Sequence, residues 1–552
     1  MSSSPSDRGF ARPWSLDPSR TPKPRTDRQG GGSYFSLFTF HFSFFTFHFS
    51  LFILSLLLAS CSSRPNRVPD TFSEADAPAP IYPDYHDVTV PPNIAPLNFI
   101  VQDQGADAFV AEIGNLVCGA GDDGKVDIDT AAWRTLLAQT AGKTLHINVY
   151  ARRDGQWVRY QPFPIHVANE EIDPYLSYRL IEPGYELYRQ LGLYQRNLTN
   201  FDETPIYENN RSYEDEENHC VNCHNYQNYD AHRMLFHIRA AHGGTVIVDG
   251  EEAHKVAISH DSILAAGVYP SWHPTLPLVA FSTNKTGQVF HMLHPEKIEV
   301  MDLASDLLLY DAEHNTVRNI LRSTTAFETF PCWAPDGRTL YYCRAASPEL
   351  APDEFEGNFI YRYDSIRYDL CSISFDPVTR QFGPPRIEFE ASAIGKSASV
   401  PRVSPDGRYL LFTLGDYGQF HIWHKSADLW AMPLCGSPGE AQDIPAEPPY
   451  PLTDANSSDA DSYHAWSSNG RWIVFSSRRD DGDFTRPYIA YFDNRGHAHK
   501  PFMLPQRDPE YNILLLKSYN VPELTRNAVR VSRETLNHVV RHTEAQGAAF
   551  QQ

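Results

Sequence analysis

Apolar positions fall into three regimes along the chain. Residues 34–59 are almost uninterruptedly apolar, long enough for a signal-peptide core or a single membrane span. From 97 to 185, short segments such as Thr144-Leu145-His146-Ile147-Asn148-Val149-Tyr150 alternate apolar with polar residues between Gly and Asp turns, which predicts strands and a small mostly-β domain. In the C-terminal half the pattern recurs. Trp272–Phe281, Trp333–Tyr342, Val403–Phe412 and Trp466–Phe475 align without gaps, their starts 61, 70 and 63 residues apart. Three of the four carry Asp-Gly or Asn-Gly between a strand end and an alternating apolar strand, so each unit reads as a β-hairpin. A hairpin cannot bury both faces alone, and copies stacked about an axis make a propeller. Weaker strand pairs fall near 245–258 and 487–515. The stretch from Ala231 to Gly244 reads as a short helix stopped by Gly243 and Gly244, and 522–544, with Leu524, Ala528, Val531, Leu536 and Val539 near helical spacing, as an amphipathic helix.

With 552 residues, 41% of them hydrophobic and 13% aromatic, the chain can build more than one core and is neither disordered nor collagen-like. Its formal charge of -21 argues against a broad grip on nucleic acid or on an anionic membrane surface. A mean hydropathy of -0.43 excludes a polytopic membrane protein. Arg8, Arg12, Arg20, Lys23, Arg25 and Arg28 precede the apolar run, which ends in Leu58-Ala59-Ser60-Cys61. That ending resembles a bacterial lipobox; the resemblance implies a lipoprotein signal peptide over 1–60 and a lipid on Cys61, against the alternative of a plain transmembrane anchor. Residues 61–96, rich in Pro, Ser and Asp, read as an extended tether. Such a layout belongs to the bacterial cell envelope, lipid-anchored and facing the periplasm or cell surface.

One motif carries chemistry. Cys220-Val221-Asn222-Cys223-His224 has the spacing of covalent haem c attachment: the thiols of Cys220 and Cys223 add to the two haem vinyl groups and His224 reaches the iron. The same residues admit a Cys220–Cys223 disulfide, or zinc held with His219 and His224. A thioredoxin-like role lacks its βαβ surroundings. For the sixth iron ligand Met234 is the first choice, with His237 and His242 as alternatives. Acidic residues before the motif, among them Asp202, Glu203, Glu208 and Glu214, suit a solvated loop or the docking of a basic redox partner. Cys332 and Cys343 flank one hairpin, within reach of a disulfide that their diagonal placement does not favour.

The repeated Trp-x-Pro-Asp-Gly pattern resembles the TolB-like (PD40 or WD40-like) propeller repeats over about 245–518, departing at Thr275-Leu276 and at Val403. The resemblance implies six blades. Together with the lipobox and the haem motif it looks like a group of exported bacterial lipoproteins labelled cytochrome c biogenesis or TolB-like. The repeats hold no nucleophile elbow, no HExxH and no phosphate loop, and His273, His291, His294, His421, His424 and His464 read as structural or surface groups. The expected fold is therefore mainly β: signal peptide 1–60, tether 61–96, mostly-β domain 97–185, haem c segment 186–244, propeller 245–518 and C-terminal helix 519–552. The expected function is a lipid-anchored mono-haem c-type protein for electron transfer or redox sensing, whose propeller is scaffold and platform for a protein redox partner or envelope component. It is more an electron carrier or binding protein than a catalyst. Two rivals stand: a non-redox binding propeller with Cys220–Cys223 as a disulfide, and a haem enzyme with an open iron position.

Overall fold

A computed structural model describes residues 64–182, 190–209, 219–294, 296–348, 362–434 and 447–551. The signal segment and the lipidation candidate Cys61 lie outside the described residues.

The chain is mainly β. Six sheets, antiparallel but for a short parallel edge strand on each of the first two, succeed one another as propeller blades. Their inner strands are His219–Gln227, Gly267–Trp272, Ala326–Trp333, Ser397–Val403, Asp461–Trp466 and Ser518–Thr525, each lying against the next and the last against the first. The sixth sheet is closed from both ends of the chain: Ser518–Thr525 pairs with Tyr175–Ile181, which continues to Gly192–Asn197 and Glu203–Glu208. Closure of this kind ties N-terminal to C-terminal strands, so the ring cannot open without breaking a ladder of backbone hydrogen bonds.

The repeated signature marks the end of an inner strand and the turn that follows it. In three turns Gly337, Gly407 and Gly470 take φ of 64°, 73° and 65°, which glycine adopts without the Cβ clash. Asp336, Asp406 and Asn469 each accept the backbone N–H two residues on through Oδ1, at 2.8, 3.1 and 3.1 Å. Where the sequence departs, at Thr275-Leu276, the His273 ring does this work: its Nδ1 accepts from the N–H groups of Thr275 and Leu276 at 3.2 and 3.0 Å.

Several boundaries move. The propeller begins at Tyr175, its last inner strand ends at Thr525, and Gln546–Gly547 and Ala549–Phe550 of the tail add edge strands to the first and second blades, so 186–244 is not a separate haem segment. It supplies outer strands of the sixth blade and the first two strands of the first. The predicted helix at 231–244 is the strand Asp230–Ala240. Both of its faces are buried, Met234, Phe236 and Ile238 on one and Leu235 on the other, and a strand covered on both sides loses the alternation that would have distinguished it from a helix. In the tail, Leu524 belongs to the last inner strand and the helix is confined to Arg533–His542, capped by Ser532, with Leu536, Val539 and Val540 buried against the first blade.

The predicted tether is not a spacer beyond Phe72, since Ser73–Pro78 already pairs with Gln156–Gln161. Ile81, Tyr85, Val88, Val90 and Ile94 lie between its prolines and are buried in the main core, and Val88–Val90 pairs with Phe163–Val167. The N-terminal domain is β-rich, as its alternation predicts, but also contains the helix Thr130–Thr140, capped by Asp129 and burying Trp133, Leu136 and Leu137. Its core continues into Trp472, Val474, Ile489 and Tyr519, joining the domain to the fifth and sixth blades. Cys332 and Cys343 are separate thiols paired in register with Tyr341 and Thr329 rather than with each other.

Candidate functional site

Every inner strand is interrupted at the same place. Cys223, Tyr269, Phe330, Val400, Tyr463 and Val521 have φ between 47° and 53°, one per blade, in the left-handed region that side-chain-bearing residues rarely enter. All six sit where the strand's register slips, so these are β-bulges. Each such residue costs on the order of 1–3 kcal/mol and persists only where its surroundings hold it. The next residue is Pro270, Pro331, Pro401 or Pro522 in four blades and His224 or His464 in the other two. Three residues past the bulge come Tyr226, Trp272, Trp333, Val403, Trp466 and Leu524, the position that heads the sequence repeat. The haem motif is therefore the first blade's copy of a six-fold feature, with Cys223-His224 standing where most blades have an apolar residue and proline.

All six bulge residues line one cavity of about 430 Å³, which therefore lies among the inner strands. Its walls are largely apolar and aromatic, with Phe330, Tyr269, Tyr463, Phe420 and Trp423 prominent. Cys220, Cys223 and His224 all open onto it, as do three guanidinium groups, Arg179, Arg239 and Arg402. Arg179 donates to Cys220 Sγ at 3.4 Å and to Asn222 Oδ1 at 3.3 Å. Cys220 and Cys223 are separate thiols. Burial raises the Cys223 thiol above its usual range, and burial followed by the nearby Arg179 lowers His224 to about 3, so its imidazole is neutral. Neither His224 ring nitrogen completes a hydrogen bond; the Val521 backbone faces it without reaching good geometry.

A second cavity of about 160 Å³ opens among the residues two and three past the bulge, among them Asn225, Ser271, Cys332, Arg402 and Glu523. Arg402 lines both cavities. Burial raises Glu523 to about 7, and Asn225 donates to its Oε1 at 3.0 Å.

The candidate sixth ligands are not brought to this place. Met234 is fully buried among Val221, Phe236, Val246 and Leu536, away from the axial cavity. On a strand, residues three apart face opposite ways, and His237 lines a separate pocket, its Nδ1 3.2 Å from Thr245 Oγ1. His242 is edge-on to His219 and is absent from the cavity wall, which His219 joins beside His224. Sequence reasoning missed Arg179, Arg402 and the ring of bulges. The signal was present: extending the aligned repeat three residues toward the N-terminus places Tyr-Pro, Phe-Pro, Val-Pro and Tyr-His in register, with Val521-Pro522 and Cys223-His224 as the remaining copies.

Fold and site together define a β-propeller with a ligand-sized cavity among its inner strands. No protein-family model matches the sequence, and no curated protein matches it. Among solved structures, the chain is similar to the propeller domain of the trilobed protease from Pyrococcus furiosus, at 10% identity, covering 72% of this chain and 98% of that one with a TM-score of 0.29. An apocarotenoid oxygenase from Synechocystis matches at 10% identity over 81% and 97%, TM-score 0.31. A DUF4784 family protein from Bacteroides caccae matches at 7% over 80% and 98%, TM-score 0.28.

Proposed function

We propose that the axial cavity holds a covalent haem c, attached through Cys220 and Cys223 with His224 as its iron ligand, in an exported TolB-like propeller lipoprotein anchored through Cys61. The observation that carries this reading is the convergence of both thiols and a neutral, unbonded imidazole on one cavity. Aromatic walls suit a porphyrin face, and Arg179, Arg239 and Arg402 suit its carboxylates. When bound, the haem supplies one-electron chemistry; the chain's own residues exclude solvent and place the imidazole. Met234, His237 and His242 stand off the cavity wall, whereas His219 shares it with His224, so electron transfer or redox sensing is the role this haem would serve.

The test is a haem stain of denatured protein matured in a host that assembles c-type cytochromes. Wild type should retain a covalent haem band, and Cys220→Ala with Cys223→Ala should lose it. A wild-type protein without covalent haem overturns the proposal.

A non-redox binding propeller is favoured by one observation: His464 occupies the place of His224 in the fifth blade, equally buried and lowered to about 3, with no thiol in its inner strand Asp461–Trp466. In that reading the cavity takes an anionic, partly aromatic envelope component against Arg179 and Arg402, and His224 is a structural variant of the usual proline.

A further inference from the structure

We propose that the turn closing the third strand of the fifth blade is a binding site for a divalent late first-row metal ion, zinc by donor type, held by Asp493, His497 and His499. One ligand atom from each of the three lies within 4.8 Å of the others. The local fold explains the convergence. Phe492 and Ala498 form a β-bridge, so His497 and His499, one on each side of Ala498, project to the same face. Asp493 Oδ1 accepts the N–H groups of Arg495 and His497 at 2.8 and 3.0 Å, which fixes the carboxylate, and its Oδ2 lies 3.7 Å from His499 Nε2.

Outer partners select the nitrogen that each ring offers. Thr89 Oγ1 is 3.3 Å from His499 Nδ1, and Asp454 Oδ2 is 3.1 Å from His497 Nε2. This leaves His499 Nε2 and His497 Nδ1 as the inward donors, the arrangement in which a neighbour holds the far nitrogen of a ligating imidazole. Two imidazoles and a carboxylate suit zinc, and the half-exposed site leaves room for water as a further ligand. A second Asp/Glu/His cluster, Asp311 with Glu313 and His314, lacks this property because the Arg380 guanidinium already bonds Asp311. Lys500, next to the site in sequence, is instead engaged by Asp84 Oδ2 and the His86 carbonyl, each at 2.8 Å. Thr89 belongs to the N-terminal domain, so an ion here would rivet that domain to the fifth blade.

The test uses the full mature protein, stripped with a chelator and titrated with zinc by calorimetry, with cobalt absorption reporting the ligand set. One zinc equivalent is expected, with a rise in melting temperature. His497→Ala with His499→Ala should weaken it at least about 100-fold, and Thr89→Ala about tenfold. Cys220→Ala should leave it unchanged, which separates this site from the haem motif. The proposal is overturned by the absence of that equivalent, by unchanged affinity in the double histidine variant, or by loss of binding in Cys220→Ala. Because the site is at the surface, melting of the metal-free variants at the wild-type temperature establishes that they fold.

Discussion

The first and fifth blades place a histidine at the same point of the same bulge. His224 and His464 are each at most 3% exposed, each follow a left-handed residue, and each have both ring nitrogens without a completed hydrogen bond. Burial pushes both to about 3. What differs is what each ring meets. His464 faces the backbone of Leu411 and Val400 in the neighbouring blade and is absent from the cavity wall. His224 opens onto the cavity beside two thiols and Arg179. The same backbone position can thus serve as filler or as ligand, and its surroundings, not its burial, decide which.

The largest expected effect comes from making both positions like the other four blades. His224 and His464 fall between register pairs of their ladders, so neither amide is needed for pairing, and proline already stands there in four blades. His224→Pro and His464→Pro should both fold, with unfolding free energies within about 2 kcal/mol of wild type, since lost packing is offset by removing a buried unbonded imidazole. The haem spectra should diverge: His464→Pro unchanged, His224→Pro without the band positions of an imidazole-ligated iron. Equal spectral loss in both variants would show that the bulge acts through the fold alone.

The contrast between these blades also shows how far sequence could reach. Trp333-Ala334-Pro335-Asp336-Gly337 and its relatives are legible because a tight turn demands particular residues at fixed offsets. His273 hides one copy of that turn by doing chemically what Asp does elsewhere. The strand pair near 245–258 is the outer half of the first blade, but its inner strand escapes the repeat because Tyr226 replaces Trp and Cys223-His224 replaces an apolar residue and proline, so the haem motif masks the repeat that contains it. Strand Asp230–Ala240 read as a helix because burial on both faces erases period two. Arg179 reaches the cavity from the strand that closes the ring across the two ends of the chain, a neighbourhood no local pattern encodes.

A smaller effect separates the two histidines by pH. A neutral buried histidine takes up a proton in the unfolded chain below its ordinary value of 6.5 but in the folded chain only near 3. Its contribution to stability is therefore complete above about pH 6.5 and is lost as pH falls toward 3, with a slope of up to about 1.4 kcal/mol per pH unit. Glu523 opposes this: raised by burial from 4.5 to about 7, it favours the folded state at low pH and loses that contribution between those values. His464→Pro should flatten the dependence of the urea midpoint on pH between 4 and 6, and Glu523→Gln should steepen it. With the haem covalently attached beside it, His224 held on the iron in both the folded and the unfolded chain titrates in neither, so His224→Pro should leave the slope of the haem-loaded protein unchanged. Equal flattening by both proline substitutions would favour the non-redox reading.

The smallest effect falls on Met234, the residue that spacing alone favoured as an iron ligand. It is fully buried in the strand next to the motif and packs with Val221, Phe236 and Val246 against the C-terminal helix. Tyr226 is its partner across the ladder, so its strand position is fixed by backbone pairing on both sides, to Tyr226 and to Val248. To reach the cavity its side chain would have to cross to the other face of the sheet, which a strand permits only by a one-residue slip that would also turn out Phe236 and Ile238. Met234→Leu keeps the volume and removes the sulfur. It should cost less than about 1.5 kcal/mol in denaturant unfolding and leave the reduced and oxidised spectra of the haem protein superimposable on wild type. A shift in those spectra would mean that the first blade rearranges when loaded and that the contrast with the fifth blade extends beyond the bulge.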